Sequence, residues 1–157
     1  MEVPNHIMEI ERKYLVDTLP EELAKYPSHL IEQAYLCTKP VVRIRRQDNS
    51  YYLTYKSAGL LSREEYNLPL DEESYQHLLK KADGNIISKR RYKIPLSNGL
   101  TAELDEFSGI FKGLLLVEVE FESIEDANSF TPPAWFGKDV TMEGTYQNSY
   151  LSKQKLS

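Results

Sequence analysis

The segment MEIERKYLV, residues 8 to 16, carries charged side chains at a spacing that could form a chemical site. Glu9, Glu11 and Lys13 are two residues apart, and the β-branched and aromatic residues around them favour a strand. Residues at this spacing share one face of a strand, so two carboxylates and an ammonium would point the same way. A solvated outer face is the ordinary explanation for one such strand. The rest of the chain must therefore decide between a site and a surface.

Five further segments of the chain also alternate between a charged face and an apolar face. An open sheet would turn the charged faces to water, whereas a closed barrel covered on its outside would place them in its interior. Solvated faces usually mix charge signs along each strand, but here acidic and basic residues are segregated by strand, which favours the barrel. The basic residues are Arg43, Arg45, Lys56, Lys89 and Arg91, and the acidic residues are Glu103, Asp105, Glu118 and Glu120.

A barrel of this kind would enclose a polar tunnel with an acidic side and a basic side. Carboxylates grouped without histidine or cysteine suit a hard divalent cation such as Mg²⁺ or Mn²⁺. Clustered arginine and lysine suit phosphate oxygens, and arginine binds them through paired hydrogen bonds. No GxxxxGK[ST] motif occurs, so side chains would hold the phosphates. The pattern thus predicts a site for a metal-bound polyphosphate.

Short alternating segments separated by turn residues predict an α+β fold with eight antiparallel strands and a few short helices packed outside. Asp71 and Ser123 are predicted to cap two of the helices, each with acidic residues in the first turn. The strands are predicted near 7–16, 31–38, 41–48, 50–57, 64–70, 87–95, 100–107 and 114–122. The helices are predicted at 18–27, 71–81, from 123 to before 132, and at about 145–155.

The overall composition is typical of an ordinary globular protein. With 157 residues, 41% hydrophobic and 27% charged, the chain is expected to form one domain over residues 1–157. A net charge of −5 argues against nonspecific nucleic-acid binding, and no apolar run is long enough to cross a membrane. One cysteine and a polar N-terminal segment without an apolar signal region lead us to expect a cytoplasmic protein.

These motifs resemble the CYTH superfamily, also called triphosphate tunnel metalloenzymes, over nearly the whole chain. The resemblance lies in an ExExK motif followed in order by RxR, K, K/R, ExD and ExE on successive predicted strands. It implies an eight-stranded antiparallel tunnel that hydrolyses triphosphate groups with Mg²⁺ or Mn²⁺. The chain looks most like the short bacterial members, which are chiefly inorganic triphosphatases. Their substrates imply a small-molecule triphosphate as partner: inorganic triphosphate first, with ATP and thiamine triphosphate as further candidates.

The resemblance also implies roles for individual residues. Lys89 with Tyr35 would activate water, and Gln147 stands where many relatives carry a basic residue. Glu65, Glu103 and Asp105 are expected to be supporting acids, and for Glu103 and Asp105 the sequence leaves two roles open, metal ligands or structural partners of the arginines. An exposed pair of Arg63 and Glu65 is the alternative for Glu65. The implied metal ligands are Glu9, Glu11, Glu118 and Glu120, and the implied triphosphate ligands are Lys13, Arg43, Arg45, Lys56, Lys89 and Arg91.

Two other functions are compatible with the same residues. A class IV adenylate cyclase would use a similar clamp but convert ATP to cyclic AMP and pyrophosphate. A polyphosphate- or nucleotide-binding module would bind the ligand without turnover. The products formed from ATP and from inorganic triphosphate would distinguish the three functions. A homodimer is compatible with the sequence.

Overall fold

The computed structural model describes residues 6–154, and its dominant feature is a closed antiparallel β-barrel. This confirms the predicted α+β barrel with eight strands. The barrel strands are β1 (His6–Val16), β2 (Ser28–Thr38), β3 (Val41–Gln47), β4 (Ser50–Lys56), β5 (Ser62–Leu70), β6 (Asp83–Pro95), β7 (Thr101–Phe107) and β8 (Leu115–Glu120).

The first strand closes the barrel by pairing with two neighbours along its length. Residues 6–10 of β1 pair with β5, and residues 11–15 pair with β8. Around the barrel the order is β5-β4-β3-β2-β6-β7-β8-β1, and every neighbouring pair is antiparallel. The acidic strands β7, β8 and β1 are therefore adjacent, and the basic strands β3 and β4 lie across the barrel from them.

The hydrophobic core lies on the outer face of the barrel, beneath the helices and loops. Helix α1 (Glu72–Leu79) buries Tyr75 against Ala34 and Ile44, which point outward from β2 and β3. A larger cluster around Leu104 and Val117 lies under helix α2 (Ile124–Ser129). Because apolar residues cover the outside, the alternate charged positions must face the interior.

The predicted helix caps are present in the structure. The Asp71 carboxylate accepts a hydrogen bond from the backbone N–H of Ser74, at 2.7 Å, and two glutamates follow it in the first turn of α1. The Ser123 hydroxyl accepts from the backbone N–H of Asp126 at the start of α2, at 3.0 Å. Both bonds satisfy N–H groups that the first turn of a helix leaves free.

Three predictions of local structure were wrong. Residues 18–27 form no α-helix but contain one 3₁₀ turn, Leu23–Lys25, because Glu22 before it adopts a left-handed φ of 54°. The last helix, α3, covers Asn148–Ser152 and follows a 3₁₀ turn at Gly144–Tyr146, and residue 155 lies outside the described residues. A ninth strand, β9 (Phe136–Asp139), pairs with the end of β1. It is four residues long, too short for a visible alternation.

Strands β2 and β6 begin earlier than predicted, at Ser28 and Asp83, because they pair with each other over this extra length.

Within residues 6–154, no helix combines the length and apolar character that crossing a bilayer requires.

Candidate active site

The barrel encloses a polar cavity of about 520 Å³. It is lined by the inward-facing side chains of the strands and by residues 147–149 at the start of α3. Every site residue predicted from the sequence lines this cavity except Asp105, which is fully buried against Lys89 and Arg91. The alternation of each strand therefore brings distant residues of the chain into one space.

Three carboxylates of the acidic wall converge closely enough to share a cation. Glu9, Glu11 and Glu120 each offer one oxygen, and these oxygens lie within 4.8 Å of one another. Glu11 is directly opposite Glu120 in the pairing of β1 with β8. Like charges at directly opposed positions destabilise a sheet, so the arrangement favours a compensating cation.

Glu118, the fourth predicted ligand, is not part of this group of three. Its carboxylate lies 3.7 Å from the Lys13 ammonium and 3.8 Å from the Arg91 guanidinium.

Burial and mutual repulsion make these acids unequal. Burial together with the neighbouring Glu118 and Glu9 carboxylates raises the pKa of Glu11 well above its usual range. Burial and the nearby carboxylates, Glu103 first, raise the pKa of Glu120 to about 7. Both groups hold a proton more tightly than an ordinary glutamate, and a bound divalent cation would displace that proton.

Glu9 is kept ionised by two cations from neighbouring strands. Its carboxylate lies 2.6 Å from the Lys56 Nζ and 2.9 Å from the Arg63 Nε. Burial opposes ionisation, but these two positive charges outweigh it and hold the pKa of Glu9 well below its usual range. Arg63 and Glu65 are therefore not an isolated exposed pair: Arg63 contacts Glu9, and Glu65 lies 3.3 Å from the Lys56 ammonium.

The basic wall is formed mainly by β3, β4 and β6. Arg43 and Arg45 are both buried on β3, where Arg43 donates to the Thr54 hydroxyl at 3.2 Å. The Arg43 Nε is buried and has no hydrogen-bond partner among residues 6–154. Burial and the adjacent Arg45 charge lower the pKa of Arg43. A buried guanidinium with an unused donor is well suited to an anionic ligand.

Lys89 lies at the junction of the two walls. Its Nζ is 2.8 Å from Asp105 and donates to the Asn148 side-chain oxygen at 2.9 Å. Burial, with help from the Arg91 and Arg45 charges, lowers the pKa of Lys89 to about 7. A lysine with this pKa is neutral in a large fraction of molecules near physiological pH.

Asp105 and Glu103 are partners of the basic residues on the neighbouring strand. Asp105 accepts two hydrogen bonds from the Arg91 guanidinium, at 2.8 and 2.9 Å, and Glu103 lies 2.6 Å from the Lys93 ammonium. The direct pairing of β6 with β7 sets both contacts. Of the two alternatives that the sequence left open, this geometry favours structural partners.

A family model for the CYTH domain matches residues 8–143. The chain belongs to the CYTH domain family. An inorganic triphosphatase of Nitrosomonas europaea is 42% identical over 148 residues, which cover 92% of this chain and 96% of that protein. An inorganic triphosphatase of Acetivibrio thermocellus is 37% identical, over 92% of this chain and 93% of that protein. The crystal structure of the inorganic triphosphatase NE1496 superposes with a TM-score of 0.72 at 36% identity, and the match covers 95% of this chain and 97% of that chain.

Sequence reasoning missed two amides of this CYTH domain that connect its basic residues. Gln33 is fully buried, and Asn148 reaches the same basic residues from α3. Gln33 could have been found, because it is two residues before Tyr35 and therefore on the same face of β2. Asn148 could not, because the position of α3 depends on tertiary contacts with β2 and β6. Arg63 was considered only as an exposed residue, and its contact with Glu9 depends on strand register.

The cavity thus places three converging carboxylates opposite a set of buried cations. Oxygen-only ligands of this type fit Mg²⁺ or Mn²⁺, because both prefer carboxylates and water to nitrogen or sulfur. The cations can bind several phosphate oxygens at once, and a lysine of lowered pKa lies between the two walls. The arrangement is chemically suited to phosphoryl transfer.

Proposed function

We propose that this CYTH domain hydrolyses inorganic triphosphate to pyrophosphate and phosphate, with Mg²⁺ or Mn²⁺ bound. The observation that carries the proposal is the acidic cluster of Glu9, Glu11 and Glu120 facing buried arginine and lysine across one cavity. The activity named for the two relatives described above supports the choice of inorganic triphosphate. ATP and thiamine triphosphate are alternative substrates for the same site.

The metal would be held by Glu9, Glu11 and Glu120, with Glu118 beside them. When bound, it would act as a Lewis acid on phosphate oxygens. To receive it, Glu11 and Glu120 must lose the protons that their raised pKa values favour. Glu9 must also loosen its contacts with Lys56 and Arg63, which would free these two cations for phosphate oxygens.

The basic wall would bind and orient the triphosphate. Lys13, Arg43, Arg45, Lys56 and Arg91 are the proposed ligands, and Arg63 joins them because it lines the same cavity. Arginine and lysine fixed in a buried site stabilise the charge that develops on the transferred phosphoryl group. Their support by buried acids such as Asp105 keeps them in place before the substrate arrives.

Lys89 is the proposed base, with Tyr35 beside the reacting oxygens. A neutral amine has two N–H groups and one lone pair, and Asp105 and Asn148 provide acceptors for both N–H groups. The lone pair then remains for a water molecule in the cavity. The water oxygen would bond to the terminal phosphorus, its proton would move to the Lys89 Nζ, and the phosphorus–oxygen bond to pyrophosphate would break.

Phosphate and nucleotide products should be measured with inorganic triphosphate, ATP and thiamine triphosphate, each with Mg²⁺, Mn²⁺ or EDTA. We expect metal-dependent phosphate release, fastest from inorganic triphosphate. Cyclic AMP from ATP would identify a cyclase, and tight binding without products would identify a binding module.

Variants would then test the site. Glu9→Ala should abolish metal-dependent turnover while the fold remains intact, since it removes one of three converging ligands. Lys56→Ala and Arg43→Ala should raise KM for triphosphate, because they remove phosphate ligands. Glu64→Ala is the matched control for Glu9→Ala, because Glu64 is exposed on the outer face of β5. Turnover by Glu9→Ala at the wild-type rate would overturn the metal assignment.

Three further properties remain predictions. The single cysteine supports a cytoplasmic location. The closed barrel with one family match over residues 8–143 supports a single domain, whose predicted limits of 1 and 157 lie outside the described residues. A homodimer can be checked by light scattering.

A further inference from the structure

One side chain on β2, Gln33, contacts another residue of its own strand and one residue each on β3 and α3. Its Oε1 accepts from the Arg45 Nε at 2.8 Å, and its Nε2 donates to the Asn148 Oδ1 at 3.0 Å and to the Tyr35 hydroxyl oxygen at 3.2 Å. Gln33 has no solvent exposure, and Arg45 is directly opposite it in the pairing of β2 with β3. A buried amide with partners on both atoms has little freedom to rotate.

Arg45 fixes which way the two amides point. An arginine side chain has only donors. The Gln33 oxygen must therefore face Arg45, and the Asn148 oxygen must face the Gln33 NH₂ group; it also accepts from the Lys89 Nζ at 2.9 Å. The Gln33 NH₂ group is then left to donate to the Asn148 oxygen and to Tyr35. Flipping either amide would put two donors against each other.

This orientation has a consequence for the hydrogen on the Tyr35 hydroxyl. Because the hydroxyl oxygen accepts from Gln33, its own hydrogen is directed elsewhere, and among residues 6–154 it donates to no protein acceptor. Tyr35 is buried and lines the cavity. The hydroxyl hydrogen is thus available to an oxygen atom of a ligand in the cavity.

We propose that Gln33 is a positioning residue that keeps the Tyr35 hydroxyl as a hydrogen-bond donor toward a phosphate oxygen while holding the Arg45 guanidinium in the phosphate-binding wall. This proposal rests on the proposed function, since it concerns the same cavity and substrate. It assigns Tyr35 a donor role and leaves proton removal from water to Lys89. This role requires an amide at position 33. A carboxylate there would still accept a hydrogen bond from Arg45, but it would also accept the Tyr35 hydrogen.

The decisive variant is Gln33→Glu, which preserves the shape of the side chain and replaces its NH₂ donor with an acceptor oxygen. At pH 8 a carboxylate beside Arg45 is ionised. It would accept the Tyr35 hydrogen and withdraw it from the substrate. We expect kcat for inorganic triphosphate to fall about tenfold or more, as when one transition-state donor is lost. Gln76→Glu is the matched control, because it makes the same chemical change on the exposed surface of α1.

A double-mutant cycle with Tyr35→Phe separates positioning from general damage. If Gln33 acts through the Tyr35 hydroxyl, the loss caused by Gln33→Glu should be at least about threefold smaller in the Tyr35→Phe background. Thermal midpoints should be recorded for all four proteins. Equal losses in both backgrounds, or wild-type kcat in Gln33→Glu, would overturn the proposal.

The same four proteins should be titrated with inorganic triphosphate by calorimetry. If the wild type binds triphosphate but does not turn it over, the proposed function fails while the Gln33 proposal is still decided by this cycle. We then expect Gln33→Glu to weaken binding more in the wild-type background than in Tyr35→Phe. Equal weakening in both backgrounds, or no binding by the wild type, would overturn the proposal.

Discussion

Residues of one type have their pKa values shifted in opposite directions in this cavity, according to what surrounds them. Glu9 is held ionised by Lys56 and Arg63, whereas its neighbour two residues along, Glu11, has its pKa raised by burial and by other carboxylates. Lys89 has its pKa lowered to about 7 by burial, although Lys56, which is equally well buried, has its pKa raised because Glu9 outweighs the effect of burial. Local partners, rather than residue type, determine which groups can exchange protons near neutral pH.

The pH dependence of turnover should report the Lys89 base. Because the pKa of Lys89 is about 7, its neutral form increases as the pH rises from 6 to 8, and kcat at saturating metal should rise with it. Lys89→Arg stays protonated throughout this range, so its kcat should be lower by about 100-fold. Steady-state rates from pH 5.5 to 9 check this prediction. A Lys89→Arg enzyme with wild-type kcat and the same profile would contradict the base role.

Arg63→Met should have opposite effects on the two ligands. Without Arg63, one oxygen of Glu9 loses the cation 2.9 Å away, so a divalent metal no longer competes with it and should bind about threefold more tightly in the absence of triphosphate. Triphosphate should bind more weakly, because a cavity cation is lost. Calorimetric titrations with Mg²⁺ alone and with triphosphate alone measure both. Weaker binding of both ligands would contradict the competition between Arg63 and the metal for Glu9.

At the scale of the elements, strand register decides which charges meet. The pairing of β1 with β8 places Glu11 opposite Glu120 and Lys13 opposite Glu118, and the pairing of β6 with β7 places Arg91 opposite Asp105. A slip of one residue would turn every one of these side chains to the outer face. The apolar outer positions that pack beneath α1 and α2 therefore also fix the chemistry inside.

The N-cap of α1 should contribute to stability but not to turnover. Asp71→Ala removes the acceptor for the Ser74 backbone N–H and should lower the free energy of unfolding by about 1 kcal/mol. Asp71→Asn is the matched control, because asparagine is an equally good N-cap and should be close to neutral. Urea denaturation measures the loss. If Asp71→Ala lowered kcat and left the free energy of unfolding unchanged, α1 would have a role in the site that its position on the outer face does not predict.

At the scale of the whole molecule, the barrel brings like charges together at a cost that a ligand can relieve. The adjacent strands β7, β8 and β1 collect carboxylates, and the wall across the cavity collects cations. Such a cavity is preorganised for a ligand that carries a divalent metal and a polyphosphate together. The stability of the protein should therefore depend on both metal and pH.

Mg²⁺ or Mn²⁺ should raise the thermal midpoint more at pH 8 than at pH 6. The pKa of Glu120 is raised to about 7 in the folded protein, so its contribution to the stability of the metal-free protein is present below its ordinary pKa and is lost as the pH rises through 7. Bound metal replaces the proton and restores this stability. Scanning calorimetry measures the shifts, and Glu120→Gln should reduce the pH dependence. Equal metal-induced shifts at both pH values would count against the assignment of Glu120.

The sequence alone determined the presence of the eight barrel strands, the inward-facing charges and the kind of ligand they suit. Alternation at spacing two is a local property, so Glu9, Glu11, Arg43 and Arg45 could be placed on inner faces once charge segregation favoured a barrel over an open sheet. The resemblance to the CYTH superfamily rested on those same positions. The N-caps at Asp71 and Ser123 were also readable, since capping involves residues three apart.

Only the tertiary structure decided which partner each charged group meets. The contact of Arg63 with Glu9, the preference of Asp105 for Lys89 and Arg91, and the reach of Asn148 from α3 all join residues far apart in the chain. Burial is likewise a property of the closed barrel, and it is burial that moves the pKa values of Lys89 and Glu120 toward 7. Segments with weak local preferences, such as 18–27 and β9, were misjudged because long-range pairing and backbone strain shape them more than periodicity does.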